Sequence, residues 1–499
     1  MSALSTDTGP PKTGQHAADP HHGRRWLILA VIAVAQLMVV LDATIVNIAL
    51  PSAQQDLGFS NENRQWIVTA YSLAFGSLLL LGGRIADLIG RKMTLLIGLA
   101  GFAAASALAG AATNFGVLVT GRALQGVFGA LLAPTALALL TTTFTTAKER
   151  AKAFGIFGAV AGAGGGVGLL LGGVLTDGLS WRWCLYVNLA FAAVAFVGAM
   201  VLLPRHRREQ GVKIDVPGTI TVTAGLFALV YGFANAETDG WGATGTWGFL
   251  AAGVVLIAVF AWLQTKVAHP LLPLRVLLDR NRGAASIGIF ISAAGMFGVN
   301  LFLTYYLQQT LHYSPLKTGL AFLPMVGVLM VVSTVATSVL NPRIGPKPMV
   351  PVGMVLAAVG LMWLTGLDAG STYAAHVLPP LLVFALGLGL VLAPCMSAAT
   401  SGIDPADAGV GSASVNTMQQ VGGSIGTALL SSLAASAAGD YLAGKKPTPE
   451  VIGQSALESY STAYLWSAVL FVAGAVICGL LFRRGAPVQD PDAAPAVHM

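Results

Sequence analysis

The chain has 499 residues, of which 55% are hydrophobic and 10% are charged, and its mean hydropathy is +0.74. This balance excludes an ordinary soluble protein and indicates a polytopic membrane protein that lies in a lipid bilayer. The net charge of +6 comes from basic residues scattered between apolar stretches, so no nucleic-acid partner is expected. Three widely separated cysteines predict neither disulfides nor a metal site, and we expect no metal and no cofactor.

Fourteen apolar stretches are long enough to cross a hydrocarbon core of about 30 Å as helices. The first is too long for a signal peptide and lacks a clear cleavage site, so we expect it to be retained. The sequence therefore predicts an all-α polytopic membrane protein with fourteen transmembrane helices, near residues 26–50, 65–87, 94–112, 115–138, 153–176, 183–204, 216–236, 245–265, 284–308, 316–339, 349–367, 374–399, 408–436 and 461–482.

The distribution of lysine and arginine between the loops indicates the orientation. An even number of spans places both termini on one side, and the loops of that side hold 21 of these residues against 5 on the other, with Arg122 inside a span. The positive-inside rule then predicts that both termini are cytoplasmic. Richness in alanine and glycine suggests a bacterial source, and we expect a multi-pass protein of the bacterial inner (plasma) membrane.

The sequence also repeats itself. Three pairs of segments match in one order at offsets of 255, 260 and 258 residues: Ile89–Gly98 with Ile344–Gly353, Gly129–Pro134 with Gly389–Pro394, and Gly164–Gly168 with Gly422–Gly426. Each pair lies on equivalent spans in the same orientation, which predicts parallel repeats that move about a central cavity, a transporter architecture.

The repeats divide the chain into bundles and connecting segments. We predict a cytoplasmic tail over 1–25, a six-helix bundle over 26–205, a central linker with two inserted spans over 206–270, a second six-helix bundle over 271–483 and a cytoplasmic tail over 484–499.

Four motifs carry a resemblance to a known family. LDATIVNIALP in span 1, GGRIADLIGRK after span 2, GRALQGVFGALLAP in span 4 and the glycine-rich span 5 together resemble the major facilitator superfamily. The fourteen spans and the first motif resemble its drug:proton antiporter branch. The resemblance implies the major facilitator fold and the export of lipophilic drugs or antibiotics by alternating access, with protons and the lipid bilayer as further partners. It also implies that the protein acts as a monomer.

A carboxylate in an apolar span costs several kcal/mol, so Asp42 indicates a function. Asp42 and Arg122 each lie about eight residues from the outer end of their spans, at a matching depth of roughly 12 Å. We hypothesise that they form a proton-coupling pair, because movements that change water access or their separation change how tightly the carboxylate holds a proton. The alternative is a static buried salt bridge.

The turn after span 2 holds a candidate gating motif. The resemblance implies a latch between the two halves, formed by Gly83, Arg84, Asp87, Gly90, Arg91 and Lys92. Positive-inside topology alone also explains Arg91 and Lys92.

Span 5 has glycines at four-residue spacing, which let neighbouring helices approach and slide. The candidate positions are Gly158, Gly162, Gly166, Gly168 and Gly172, with Gly164 on the stripe of the last two. Ordinary packing of small residues is the alternative interpretation.

Polar residues within the spans are candidates for a substrate cavity. They are Gln36, Asn47, Gln125, Asn300, Tyr305, Gln308, Asn416 and Gln419. Hydrogen bonding between helices explains each of them equally well. No acid lies clearly within a span of the second half, so we expect lipophilic monocations or neutral amphiphiles as substrates.

Other functional classes are less consistent with the sequence. No Gly-Lys-Ser/Thr phosphate-binding loop occurs, which disfavours an ATP-driven pump, and no catalytic cluster appears, so we do not expect an enzyme. The main alternative is a proton-coupled importer of a small solute, because the fold does not decide the direction of transport.

Overall fold

The computed structural model describes residues 24–60, 63–144, 147–203, 215–267, 270–272, 274–401 and 408–483. These residues form helices and no strand, and fourteen of the helices have 19 or more residues. We number them α1 (Arg25–Leu57), α2 (Gln65–Ile89), α3 (Arg91–Gly110), α4 (Phe115–Thr143), α5 (Ala147–Gly178), α6 (Trp183–Leu202), α7 (Val216–Thr238), α8 (Thr244–Gln264), α9 (Arg280–Tyr305), α10 (Pro315–Val335), α11 (Pro346–Leu364), α12 (Leu378–Thr400), α13 (Ala408–Leu442) and α14 (Pro449–Leu481).

The described residues contain 12 helical segments that are long and apolar enough to cross a membrane. Two of the numbered helices, α2 and α5, are not among them, and each includes residues whose side chains lie outside the described part of the structure. The predicted all-α polytopic fold is therefore confirmed, and the chain is an integral membrane protein. The count of fourteen spans stays a prediction.

Several helices extend beyond the apolar stretches that predict them. Helix α1 continues through Pro51, and α14 begins at Pro449, well before residue 461, where the predicted span begins. Thr448 accepts a hydrogen bond from the amide of Val451, and Pro449 occupies the first turn, both favourable at a helix N-terminus. Hydropathy detects only the part of a helix in hydrocarbon, so it misses such polar extensions.

The helices pack as two groups and a pair. Helices α1–α6 pack among themselves, as do α9–α14, while α7 packs against α8 and also contacts α2 and α13. This arrangement agrees with two six-helix bundles and an inserted pair. The exact domain boundaries stay a prediction, and both predicted tails lie almost entirely outside the described residues.

The two groups are held together at one end, which we call the outer end because the charge distribution predicts that it faces outside. The hydroxyl of Tyr305 donates to Oε1 of Gln54 at 2.6 Å, and Nε2 of Gln308 donates to the carbonyl of Ile48 at 3.1 Å. Three of the hydrogen bonds between the groups lie near the outer ends of their helices, and another joins Ser424, midway along α13, to α2. The molecule is therefore closed at its outer end.

Glycines of α5 bring this helix close to two partners. A Cβ on Gly168 or Gly172 would collide with α1, whereas one on Gly173 would lie 2.5 Å from the backbone Cα of Leu316 on α10. Gly166 also faces α10, beside Val326. The stripe of Gly164, Gly168 and Gly172 thus packs against α1 within the first group, whereas Gly166 and Gly173 face α10 of the second group. The surroundings of Gly158 and Gly162 lie outside the described residues.

We expect Gly173→Ala to open the outer end, because a side chain there forces α5 and α10 apart at the backbone. Spin labels at Asp177 and Lys317, on the outer ends of these helices, should report a longer distance by electron paramagnetic resonance. Gly165→Ala is the matched control, since a Cβ at Gly165 meets no atom within 4 Å. An unchanged distance distribution in Gly173→Ala contradicts the prediction.

Candidate functional site

A buried ion pair lies inside the first helical group. Arg122 of α4 donates from Nη1 to Oδ2 of Asp42 of α1 over 2.6 Å. The side chains are 1% and 0% exposed. The matching depths predicted from the sequence thus correspond to direct contact.

Two amide side chains complete the hydrogen bonds of the carboxylate. Gln125 and Asn188 donate to Oδ1 of Asp42 at 2.8 and 2.7 Å. Gln125 also accepts from Nη1 of Arg122 at 2.8 Å and donates to the hydroxyl of Ser106 at 2.6 Å. The negative charge is therefore met by one cation and two neutral donors, a network in which buried polar groups satisfy one another.

The rest of the guanidinium is held by α2. Nε of Arg122 donates to the carbonyl of Ile67 at 3.1 Å, and the guanidinium lies 4.4 Å from the centroid of the Tyr71 ring. The two helices approach closely because α4 has Gly126 one turn after Arg122, where a Cβ would lie 2.3 Å from the carbonyl oxygen of Tyr71. These contacts therefore fix the position of the Arg122 guanidinium beside Asp42.

Three members of this network are absent from our sequence predictions: Tyr71, Ser106 and Asn188. Ser106 and Asn188 are polar residues within apolar spans of α3 and α6, and both are 0% exposed. That signal was available, because a buried polar side chain in a span needs a partner. Gln125, predicted for a substrate cavity, lies in this network and is also 0% exposed.

A small apolar cavity lies on the outer side of Arg122. It has room for about one water molecule and is lined by Arg122, Val46, Leu50, Leu118 and Cys184, among others. The guanidinium therefore separates the carboxylate from this cavity. No cluster of metal-binding side chains occurs among the described residues.

The residues of the gating motif contact the ends of neighbouring helices. Gly90, with φ of +92°, forms the turn between α2 and α3, a conformation that favours glycine. Arg91 donates to the carbonyl of Ala138, and Lys92 donates to carbonyls at the end of α6, those of Met200 and Leu203. Cations are favourable beside such free C-terminal carbonyls.

The remaining motif residues reach towards the linker or lie outside the described side chains. Arg84 donates to the carbonyl of Pro270 at 3.3 Å, which joins α2 to the segment before the second group. Gly83 lies beside Pro134 of α4. The side chain of Asp87 lies outside the described residues, so its predicted pairing is not described.

The other residues predicted to line a substrate cavity are dispersed. Asn47 is 6% exposed and contacts the carbonyl of Ala43 in its own helix, whereas Tyr305 and Gln308 lie in the outer closure. Asn300 is buried, and the side chains that are partly exposed are Gln36, Asn416 and Gln419. The structure does not bring these eight residues together in one site.

Among the described residues, the network contains one unused hydrogen-bond acceptor beside Asp42. Protonation of Asp42 removes the charge that holds Arg122 and leaves a hydroxyl that needs an acceptor. Oδ1 of Asn188 is a buried acceptor without a hydrogen-bond partner among the described residues, so rotation of this amide satisfies the protonated acid.

Comparison with known proteins gives matches over most of the chain. The sequence profile of the Major Facilitator Superfamily matches residues 32–427. The puromycin resistance protein pur8 of Streptomyces alboniger is 45% identical over 477 residues, which cover 95% of this chain and 94% of that protein. The cephamycin export protein CmcT of Amycolatopsis lactamdurans is 36% identical over 456 residues, 91% of this chain and 92% of that protein.

Solved structures share the fold at low sequence identity. An auto inhibited POT family peptide transporter superposes with a TM-score of 0.67 at 15% identity, over 92% of this chain and 98% of that chain. A bacterial homolog of the human lysosomal transporter Spinster, inward-facing and unoccupied, gives 0.64 at 16% identity, over 94% and 100%. The profile match and the relatives together identify this chain as a member of the major facilitator superfamily of membrane transporters.

Proposed function

We propose that this protein is a secondary active exporter of lipophilic drugs or antibiotics, driven by proton antiport. The relatives support the substrate class, since several are resistance or export proteins for puromycin, cephamycin and lincomycin. One observation supports the coupling: the carboxylate of Asp42 is fully buried, yet among the described residues its charge is held by a single cation and two neutral amides.

In the proposed cycle, Asp42 takes up a proton from the outside and releases it to the cytoplasm as substrate leaves. The outer approach runs through the small cavity between Arg122 and the outer ends of α1 and α4, and it reaches Asp42 only when Arg122 moves aside. A neutral Asp42 no longer holds Arg122, so the contacts of Arg122 with Ile67 and Tyr71 of α2 become free to change. Protonation is thereby linked to movement of the helix that also contacts the second group.

The remaining parts of the proposal concern gating and location. Gly83, Arg84, Asp87, Gly90, Arg91 and Lys92 act as the cytoplasmic latch, and the stripe of α5 that faces α10 is a surface on which the two bundles move. The protein works as a monomer in the bacterial inner membrane with both termini cytoplasmic, and it does not change its substrate chemically.

Substrate-driven proton movement in inverted vesicles tests this function. With an acidic lumen, addition of a lipophilic monocation should raise the lumenal pH of wild-type vesicles and leave that of Asp42→Asn vesicles unchanged, because an amide cannot carry the proton. A lumenal pH dye gives the measurement. Asp56→Asn is the matched control, since Asp56 lies on the same helix with a side chain 48% exposed, and it should behave as wild type.

The sign of the pH change distinguishes the alternatives. Further acidification of the lumen on addition of substrate indicates cotransport and supports an importer of the same fold. Equal exchange by wild type and Asp42→Asn leaves Asp42 as a static partner of Arg122 and overturns the proposed coupling.

The ion pair also predicts a pattern of stabilities. Arg122→Gln should lower the free energy of unfolding by about 3–5 kcal/mol, because it leaves a buried carboxylate without its cation. The double variant Asp42→Asn/Arg122→Gln should recover most of this loss, since both remaining groups are neutral. Unfolding of the wild type, the two single variants and the double variant in detergent measures this double-mutant cycle. A double variant as unstable as Arg122→Gln alone contradicts the prediction.

A further inference from the structure

A second arginine is buried at the outer end, with no acidic partner among the residues that the structure describes. Arg64 immediately precedes α2 and is 8% exposed, although it carries a full positive charge. The ion pairs between described residues do not include it. Its guanidinium instead lies 4.2 Å from the centroid of the Tyr305 ring and 5.7 Å from that of Phe302. The faces of these two rings and the hydroxyls of Tyr305 and Tyr460 therefore hold this cation.

The rings form a preformed cage on the second helical group. We call Phe302 and Tyr305 of α9 and Tyr460 of α14 the outer aromatic cage. All three are at most 3% exposed, and the Phe302 and Tyr460 rings have centroids 6.4 Å apart. Tyr460 contacts Arg64 through its hydroxyl, which accepts a hydrogen bond from the guanidinium. Since α9 and α14 pack directly against each other, the cage belongs to one rigid unit.

The cage and its cation lie on opposite sides of the moving interface. Arg64 adjoins α2 of the first group, whereas the rings belong to α9 and α14 of the second. The hydroxyl of Tyr305 also donates to Gln54 of α1 across the same interface. If the two groups separate at the outer end, Arg64 leaves the cage and the cage becomes accessible.

We propose that the vacated outer aromatic cage binds the cationic group of an exported substrate, and that substrate and Arg64 occupy it alternately. This inference rests on the proposed export function. The ligand class is an organic monocation, a guanidinium or ammonium group on an apolar body, because the cage already accepts a guanidinium by its ring faces and phenol hydroxyls. The substrate cation occupies the cage while the exit is open, and the return of Arg64 displaces it to the outside and closes the exit.

A cage of aromatic rings and phenol hydroxyls, with no acidic partner among the described residues, suits a site for release. An acidic partner would hold the cation by a charge-assisted hydrogen bond, whereas ring faces hold it more weakly and tolerate varied shapes. A small uncharged substrate gains little from the cage, since the attraction is electrostatic. The cage therefore favours cations over neutral molecules of the same size.

Binding of a matched pair of probes tests the proposal with the full-length purified protein. The probes are benzylguanidinium and benzylurea, which have similar shapes and differ in charge. Arg64→Ala should bind benzylguanidinium about tenfold more tightly than wild type, because the competing side chain is gone. Arg64→Ala/Tyr305→Leu should lose this gain, and Arg64→Ala/Tyr305→Phe should keep it because the ring remains. Benzylurea should bind equally in all four proteins.

The readouts distinguish a vacant cage from a misfolded or loosened protein. Thermal melting of each variant identifies a protein that has not folded, and Phe302→Leu in the Arg64→Ala background then replaces Tyr305→Leu. A gain shared by benzylurea indicates general loosening of the outer end and overturns the cage. Equal affinity of all variants for benzylguanidinium overturns it as well. The binding measurement requires no transport. Its result therefore does not depend on the outcome of the proton-exchange experiment.

Discussion

A carboxylate removed from water in the middle of a bilayer must be matched by groups that replace its hydration, and the first helical group is organised to do this. Five helices, α1, α2, α3, α4 and α6, each contribute a side chain or carbonyl to the network around Asp42 and Arg122. Small residues make this convergence possible, since a Cβ on Gly121 or Gly126 of α4 would collide with α3 or α2. The positions of the helices thus follow from the need to satisfy one buried charge.

The two halves of the molecule carry different kinds of chemistry. The first group buries an ion pair bonded to two amides, whereas the second contributes aromatic rings to the outer closure. The halves meet through the stripe on α5 and through Arg64 and Gln54, so the closed end combines close backbone contact with a cation held by rings. The two halves therefore differ in chemistry, although segments of the sequence repeat between them.

Depth and polarity could be read from the sequence, whereas the rotation of each helix about its axis could not. Periodicity and counting from span ends placed Asp42 and Arg122 at one level, and the structure shows them in contact. Whether Gln125 faces a cavity or Asp42 depends on how α4 packs against α1 and α3, a tertiary choice that no local pattern encodes. Arg64 lies before an apolar stretch and looks like a solvated loop residue until α9 covers it.

The enclosure of Asp42 within one bundle has an electrical consequence. If the protein exchanges protons as proposed, an acid buried within one bundle cannot serve as the counter-ion of the substrate, so the number of protons exchanged does not follow the charge of the cargo. If one proton enters per cycle, export of a monocation moves no net charge, whereas export of a neutral molecule carries one positive charge inward. The membrane potential then contributes about 2.3 kcal/mol per 100 mV to the second process and nothing to the first. Under the proposed mechanism, a cell that keeps its potential but loses its pH gradient would continue to export neutral molecules and would cease to export cationic ones.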